Sequence, residues 1–207
     1  MTPAAPFGPL EFQLVLLRRM ADHQPGLVED ALRALGTTRT AMREANKRWQ
    51  ARARARPSPT AARPDALRAA PSTPGGPVEL DLYRAALGEP ESRRALPGFP
   101  AGHEEWAWPV PLWPELRFTA YAGPGRAVWS RALTRAPGAP APALRGAADL
   151  LPWRCTIDEV YAAFPGARAR EQASPALTRL DFTLPDGTAC AAEFAWGLLQ
   201  RLLPVTP

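Results

Sequence analysis

Leu10, Leu14, Leu17 and Ala21 recur at helical spacing, with Phe12, Leu16 and Met20 beside them. The stripe predicts a helix from Pro9 to about Asp22, and its width predicts a helix gripped on more than one side. His23-Gln24-Pro25-Gly26 breaks the pattern. Leu27, Val28, Ala31, Leu32 and Leu35 then resume the helical period until Gly36. A third helix is predicted from about Thr38 through Trp49 into the arginine-rich run that ends at Arg56. Residues 57–77 carry one strongly apolar side chain, Leu67, among Pro, Ala, Ser and Gly. Such a stretch buries too little surface to offset its ordering entropy, so an extended tether is expected.

The period changes after the tether. Val78–Leu87 reads as a helix. Leu116, Phe118 and Ala120 then alternate with Arg117, Thr119 and Tyr121, which is strand spacing. Residues 122–125 make a turn, and 126–133 return as a partner strand. Thr156 and Glu159 form a capping box for a helix reaching Phe164. Leu180, Phe182 and Leu184 line one face of a second strand. Pro185-Asp186-Gly187 turns it, and Cys190, Ala192 and Phe194 return. Residues 196–203 read as a closing helix. The expected fold is α+β: a helical head over 1–56, a linker over 57–77, and an α+β domain over 78–207 with two β-hairpins and packed helices. Tyr83 and Tyr161 each sit in a Tyr-x-Ala helix followed by a hairpin, which suggests a degenerate repeat of 78–150 in 151–207.

Composition changes this picture in two ways. Proline reaches 26 of 207 residues, more than twice the usual share of about 5%, so long irregular segments or edge strands are expected. Arginine dominates the cations and Lys47 is the single lysine. With so much Ala and Pro this is the signature of a high-GC genome, so arginine content alone says nothing about nucleic acid. Distribution says more. Residues 1–77 hold 12 Lys/Arg against 6 Asp/Glu, a net of +6, while residues 78–207 hold 13 against 14. Between Arg33 and Arg56 eight cations face one acid, Glu44. A polyanionic partner for that end is the natural inference.

Candidate chemistry elsewhere is sparse. Cys155 and Cys190 are too few for a disulfide framework and read as buried free thiols. No apolar run approaches the roughly 20 residues of a membrane span, and no basic residue precedes Phe12–Leu17 as in a secretory signal; a cytoplasmic protein is expected. His103 beside Glu104 and Glu105 does not make a converging metal site, and His23 is the only other histidine. No P-loop, nucleotide-binding fingerprint or nucleophile elbow is present, so neither an enzyme nor a cofactor is expected. Trp106–Pro114 places three tryptophans among prolines. Core packing is the favoured role for it, with partner binding as the alternative.

The stretch Ala31–Trp49 satisfies every requirement of a helix-turn-helix in one register. Ala31 and Ala34 permit a close helix crossing. Gly36 permits a positive φ in the turn, and Thr38 or Thr37 can cap the next helix. Met42, Ala45 and Trp49 face inward, leaving Arg39, Thr40, Arg43 and Lys47 outward. Over residues 9–54 the chain resembles the helix-turn-helix of bacterial transcription regulators, the LysR-type and molybdate-responsive regulators being nearest in pattern. No strand pair follows Trp49, so no β-hairpin wing is expected. The resemblance implies double-stranded DNA as partner, a homodimer, and transcription regulation. It places Arg39, Thr40 and Arg43, behind the Thr38 cap, at base edges in the major groove. Lys47 lies on the same DNA-facing side, and Arg48, Arg52, Arg54 and Arg56 would follow phosphates. The competing expectation is an adaptor with a basic helical head and a Trp/Pro-rich partner surface.

Overall fold

Pro9 sits in the first turn of α1 (Pro9–Met20), where its missing N–H costs nothing. The Glu11 carboxylate accepts the Gly8 N–H at 2.9 Å. The computed structural model describes residues 7–54, 77–170 and 177–204. In chain order these form α1, α2 (Pro25–Ala34), α3 (Arg39–Arg54), α4 (Pro77–Leu87), β1 (Ser92–Ala95), β2 (Glu104–Pro109), β3 (Leu116–Ala122) and β4 (Val128–Arg135). Then follow α5 (Ile157–Ala163), β5 (Arg168–Arg170), β6 (Leu177–Thr183), β7 (Ala189–Ala195) and β8 (Leu198–Pro204). The expected tether over 57–77 lies outside the described residues except for Pro77, which starts α4.

The α+β class stands, with more sheet than expected. Two antiparallel four-stranded sheets, β1-β2-β3-β4 and β5-β6-β7-β8, occupy the region where two hairpins were expected. Each sheet follows a helix, α4 or α5, so the order helix-then-four-strands occurs twice. The Thr156–Glu159 capping box is present: Glu159 N–H donates to Thr156 Oγ1 at 3.4 Å, and Thr156 N–H to the Glu159 carboxylate at 2.7 Å. The closing helix expected over 196–203 is instead the Trp196–Gly197 turn and strand β8. Both turn residues adopt positive φ, 53° and 74°, which reverses the chain as a two-residue hairpin requires. β8 is buried on both sides, Leu198 against the first core and Leu199 against the second. A strand covered on both faces loses its alternation and cannot be told from a helix by period.

α1 is held on several sides, as its wide stripe predicts. Phe12 lies 5.3 Å from Trp49 of α3, 5.8 Å from Tyr83 of α4 and 4.8 Å from Phe118 of β3, centroid to centroid. The helices before residue 55 therefore share one continuous core with α4 and the first sheet. Gln13, buried in the same helix, reaches out to accept the Leu112 N–H at 2.7 Å. The tryptophans of Trp106–Pro114 are in this core: Trp106, Trp108 and Trp113 are all buried. The second sheet packs its own cluster, Leu180, Phe182 and Phe194, on Val160 of α5 and on Phe164, which caps that helix. Trp196 joins the two. Its carbonyl accepts the Leu133 N–H at 2.6 Å and its ring lies 6.2 Å from Phe118.

Cys155 and Cys190 are free and buried. Burial pushes the Cys155 thiol up to about 11 and also raises that of Cys190. Because the folded value lies above the ordinary 9.0, the protonated Cys155 thiol supports the fold below about pH 9. That support is lost as pH rises from about 9 to about 11. Neither thiol should react with an aromatic disulfide reagent at pH 8 in the native protein, and both should react in denaturant; prompt native labelling would contradict the packing of these two sites.

Candidate nucleic-acid interface

The turn between α2 and α3 is built by two backbone bonds and one glycine. Gly36 N–H donates to the Arg33 carbonyl at 3.0 Å, and Thr37 N–H to the Leu32 carbonyl at 2.9 Å. Gly36 has φ +61°, where a side chain would be strained. Thr38 Oγ1 accepts the Ala41 N–H at 3.2 Å and so caps α3. Met42, Ala45 and Trp49 are buried along the inner side of α3.

The outer side follows from the helical period. Arg39, Arg43, Lys47 and Arg54 are exposed, and Thr38 and Thr40 are exposed beside the first turn. At about 1.5 Å per residue, the ridge from Arg39 to Arg54 runs roughly 22 Å. Arg39 is not free on it: its guanidinium pairs with Glu29 of α2. Arg48 and Arg52 lie on another flank. The Arg48 guanidinium sits 5.6 Å and that of Arg52 5.0 Å from the centre of the Phe7 ring. Arg48 also approaches Glu11 at 3.9 Å. Arg56 lies outside the described residues.

α1 adds residues that period alone could not reveal. Arg18 and Arg19 of α1, with Asp22 just after it, face Asn46, Gln50 and Arg54 of α3 across a groove of about 310 Å³. Arg18 is bound to Asp22 at 3.2 Å, while Arg19 has no carboxylate partner among the described residues. Asn46 Oδ1 is buried without a protein hydrogen-bond partner. Nothing in sequence tells which turn of α1 meets which turn of α3, so Arg19 could not be placed beside this ridge beforehand.

Ion pairing is uneven along the chain: in the helices Arg18, Arg33, Arg39 and Arg48 are paired, and Arg52, Arg154 and Arg168 have no carboxylate partner among the described residues. Every arginine from Arg84 to Arg135 is bound to a carboxylate. Arg19, Arg43, Lys47 and Arg54 carry no such partner among the described residues, and Glu44 is the one acid on α3. No family model, curated protein or solved structure matches the chain. The geometry of α1–α3 is therefore the ground for any functional statement. Uncompensated, exposed cations along a helix can contact a row of phosphates, and the polar groove beside them offers amide donors. Among the described residues no three His, Cys, Asp or Glu side chains converge as metal ligands, and no helix is long and apolar enough to cross a membrane.

Proposed function

We propose that this protein binds double-stranded DNA through α3 and acts as a transcription regulator or DNA-binding accessory protein. The observation that carries the proposal is the unpaired set Arg19, Arg43, Lys47 and Arg54 in a chain whose first-sheet arginines are all neutralised. Cations left without carboxylates on one ridge are available to displace counterions from a polyanion. Thr40 and Arg43, near the start of α3, are placed for base edges; Arg19 and Arg54 flank the groove and suit phosphates. Arg39 joins them by exchanging Glu29 for a base or phosphate. Two copies on one duplex are expected, because one such helix binds weakly. The adaptor alternative put its partner surface on Trp106–Pro114, whose indoles are buried, and this favours the basic ridge.

The test is the triple substitution Arg43→Ala, Lys47→Ala, Arg54→Ala in the full chain. Duplex affinity should fall steeply, with the salt slope reduced by about 0.9 for each phosphate contact removed. Stability should move by only about 0.5 kcal/mol per exposed site. Arg52→Ala, on the Phe7 flank, should leave the duplex affinity nearly unchanged. Equal binding by the triple variant and the parent would refute the assignment.

A further inference from the structure

The face of the first sheet turned away from α1 is only partly covered: Thr119 at its centre is buried, and Arg117 and Tyr121 on either side keep partial exposure. Arg117, Thr119 and Tyr121 of β3 point to it, opposite the core residues Phe118 and Ala120. It floors a trough of about 550 Å³, with α5 as one wall. Four carboxylates and three guanidinium groups line this trough. Glu105 is bound by Arg94, Glu91 by Arg117 and Glu159 by Arg135. Asp158 is left over, with no hydrogen bond or ion pair to any described residue. The trough is thus short of one cation in a chain of net charge +5.

An aromatic strip leads away from this corner. Tyr121 lines the trough and lies 5.5 Å from Trp129, which stacks on Phe99 at 5.7 Å. Trp129 and Phe99 remain 42% and 51% exposed, so the stack buries one ring on another while leaving both open to a further layer. Asp158 keeps solvent access from the trough mouth. Even so, the surrounding walls, then Glu159 and Glu105, push its carboxyl up. Burial, with Asp158 and Glu105 behind it, pushes the Tyr121 phenol up to about 12. A cation seated here would relieve both.

We propose that this trough docks an extended segment of a partner protein, seating an arginine or lysine head on Asp158 and an apolar stem or neighbouring ring on the Tyr121–Trp129–Phe99 strip. Charge complementarity selects the basic head. Breadth selects a protein segment: α5, β3, β4 and the β1–β2 loop each supply part of the surface, and one small cation cannot cover all four. A partly desolvated charge with an exposed tryptophan one ring away, across Tyr121, has the composition of an interaction hot spot. The inference is independent of DNA binding, since it uses none of the α3 ridge.

Panning a random-hexapeptide library on the full-length protein tests it. The expected result is enrichment of peptides with Arg or Lys next to an aromatic or large apolar residue. Asp158→Asn should weaken a selected peptide by about tenfold or more, and Trp129→Ala should do the same, with both variants still unfolding cooperatively; Trp129→Ala lowers the midpoint modestly, because it loses its packing on Tyr121 and Phe99. Absence of enrichment, enrichment of acidic peptides, or affinities indifferent to both substitutions would overturn the proposal. So would saturable binding of free arginine amide without peptide enrichment, which would assign the trough to a small organic cation.

Discussion

Trp49→Ala is expected to destabilise the protein by about 3–5 kcal/mol, the range for truncating a buried tryptophan. The ring lies 5.4 Å from Phe7, 5.3 Å from Phe12 and 5.7 Å from Tyr83, so its loss opens a cavity where α1, α3 and α4 meet. At roughly 2–4 °C per kcal/mol for a chain of this size, the melting temperature should fall by about 6–20 °C. Because the same core continues into Phe118 of the first sheet, the helices and that sheet should lose structure together. Denaturant unfolding followed by far-UV circular dichroism and by tryptophan fluorescence checks both points. A loss under about 1 kcal/mol, or helices melting well before the sheet, would contradict the shared core.

The second large effect is expected at Gly197→Ala. Gly197 has φ +74°, and a Cβ built there would lie 2.8 Å from the Cβ of Ala132 on β4. The conformational penalty of about 1–2 kcal/mol is joined by an overpacking penalty of about 1–3 kcal/mol, because the obstructing atom belongs to a strand and cannot rotate away. A total of about 2–5 kcal/mol is expected. Gly36→Ala is the control: φ is +61°, but no atom lies within 4 Å of the added Cβ. It should cost only the conformational part. Equal losses at the two positions would mean that the Trp196–Gly197 turn does not press on β4.

How far the fold was legible depended on how many faces each element buries. The α1 stripe, the Gly36 turn and the inward row Met42, Ala45 and Trp49 could be read directly, α1 from the breadth of its apolar surface and α3 from its helical period. β3 and β6 were legible because one face is core and the other largely polar; β7 was legible from Cys190, Ala192 and Phe194, although Ala191 and Ala195 on its other face are buried too. β8 was not, because Leu198 and Leu199 face two different cores. β1 and β5 carry the sequences SRRA and RAR, which offer no apolar signal. They are exposed edge strands held by pairing to β2 and β6, and charge on an edge discourages further pairing.

The candidate site divides in the same way. Arg39, Thr40, Arg43 and Lys47 were legible as one face of a helix. The pairing of Arg39 with Glu29, the capture of Arg48 and Arg52 by Phe7, and the arrival of Arg19 beside Arg54 depend on tertiary docking. No local pattern carries them. The trough under Asp158 is a stronger case still, because it joins a sheet face to a helix from the other unit.

The most direct measurement of the central proposal is the salt dependence of full-length protein binding to a fluorescent random-sequence duplex, from about 50 mM to about 200 mM salt. Four unpaired cations, at about 0.9 each, predict a log–log slope of roughly −3 to −4 per protomer. No binding at the lowest salt, or a slope near zero, would contradict the assignment of α3 as a DNA-binding helix.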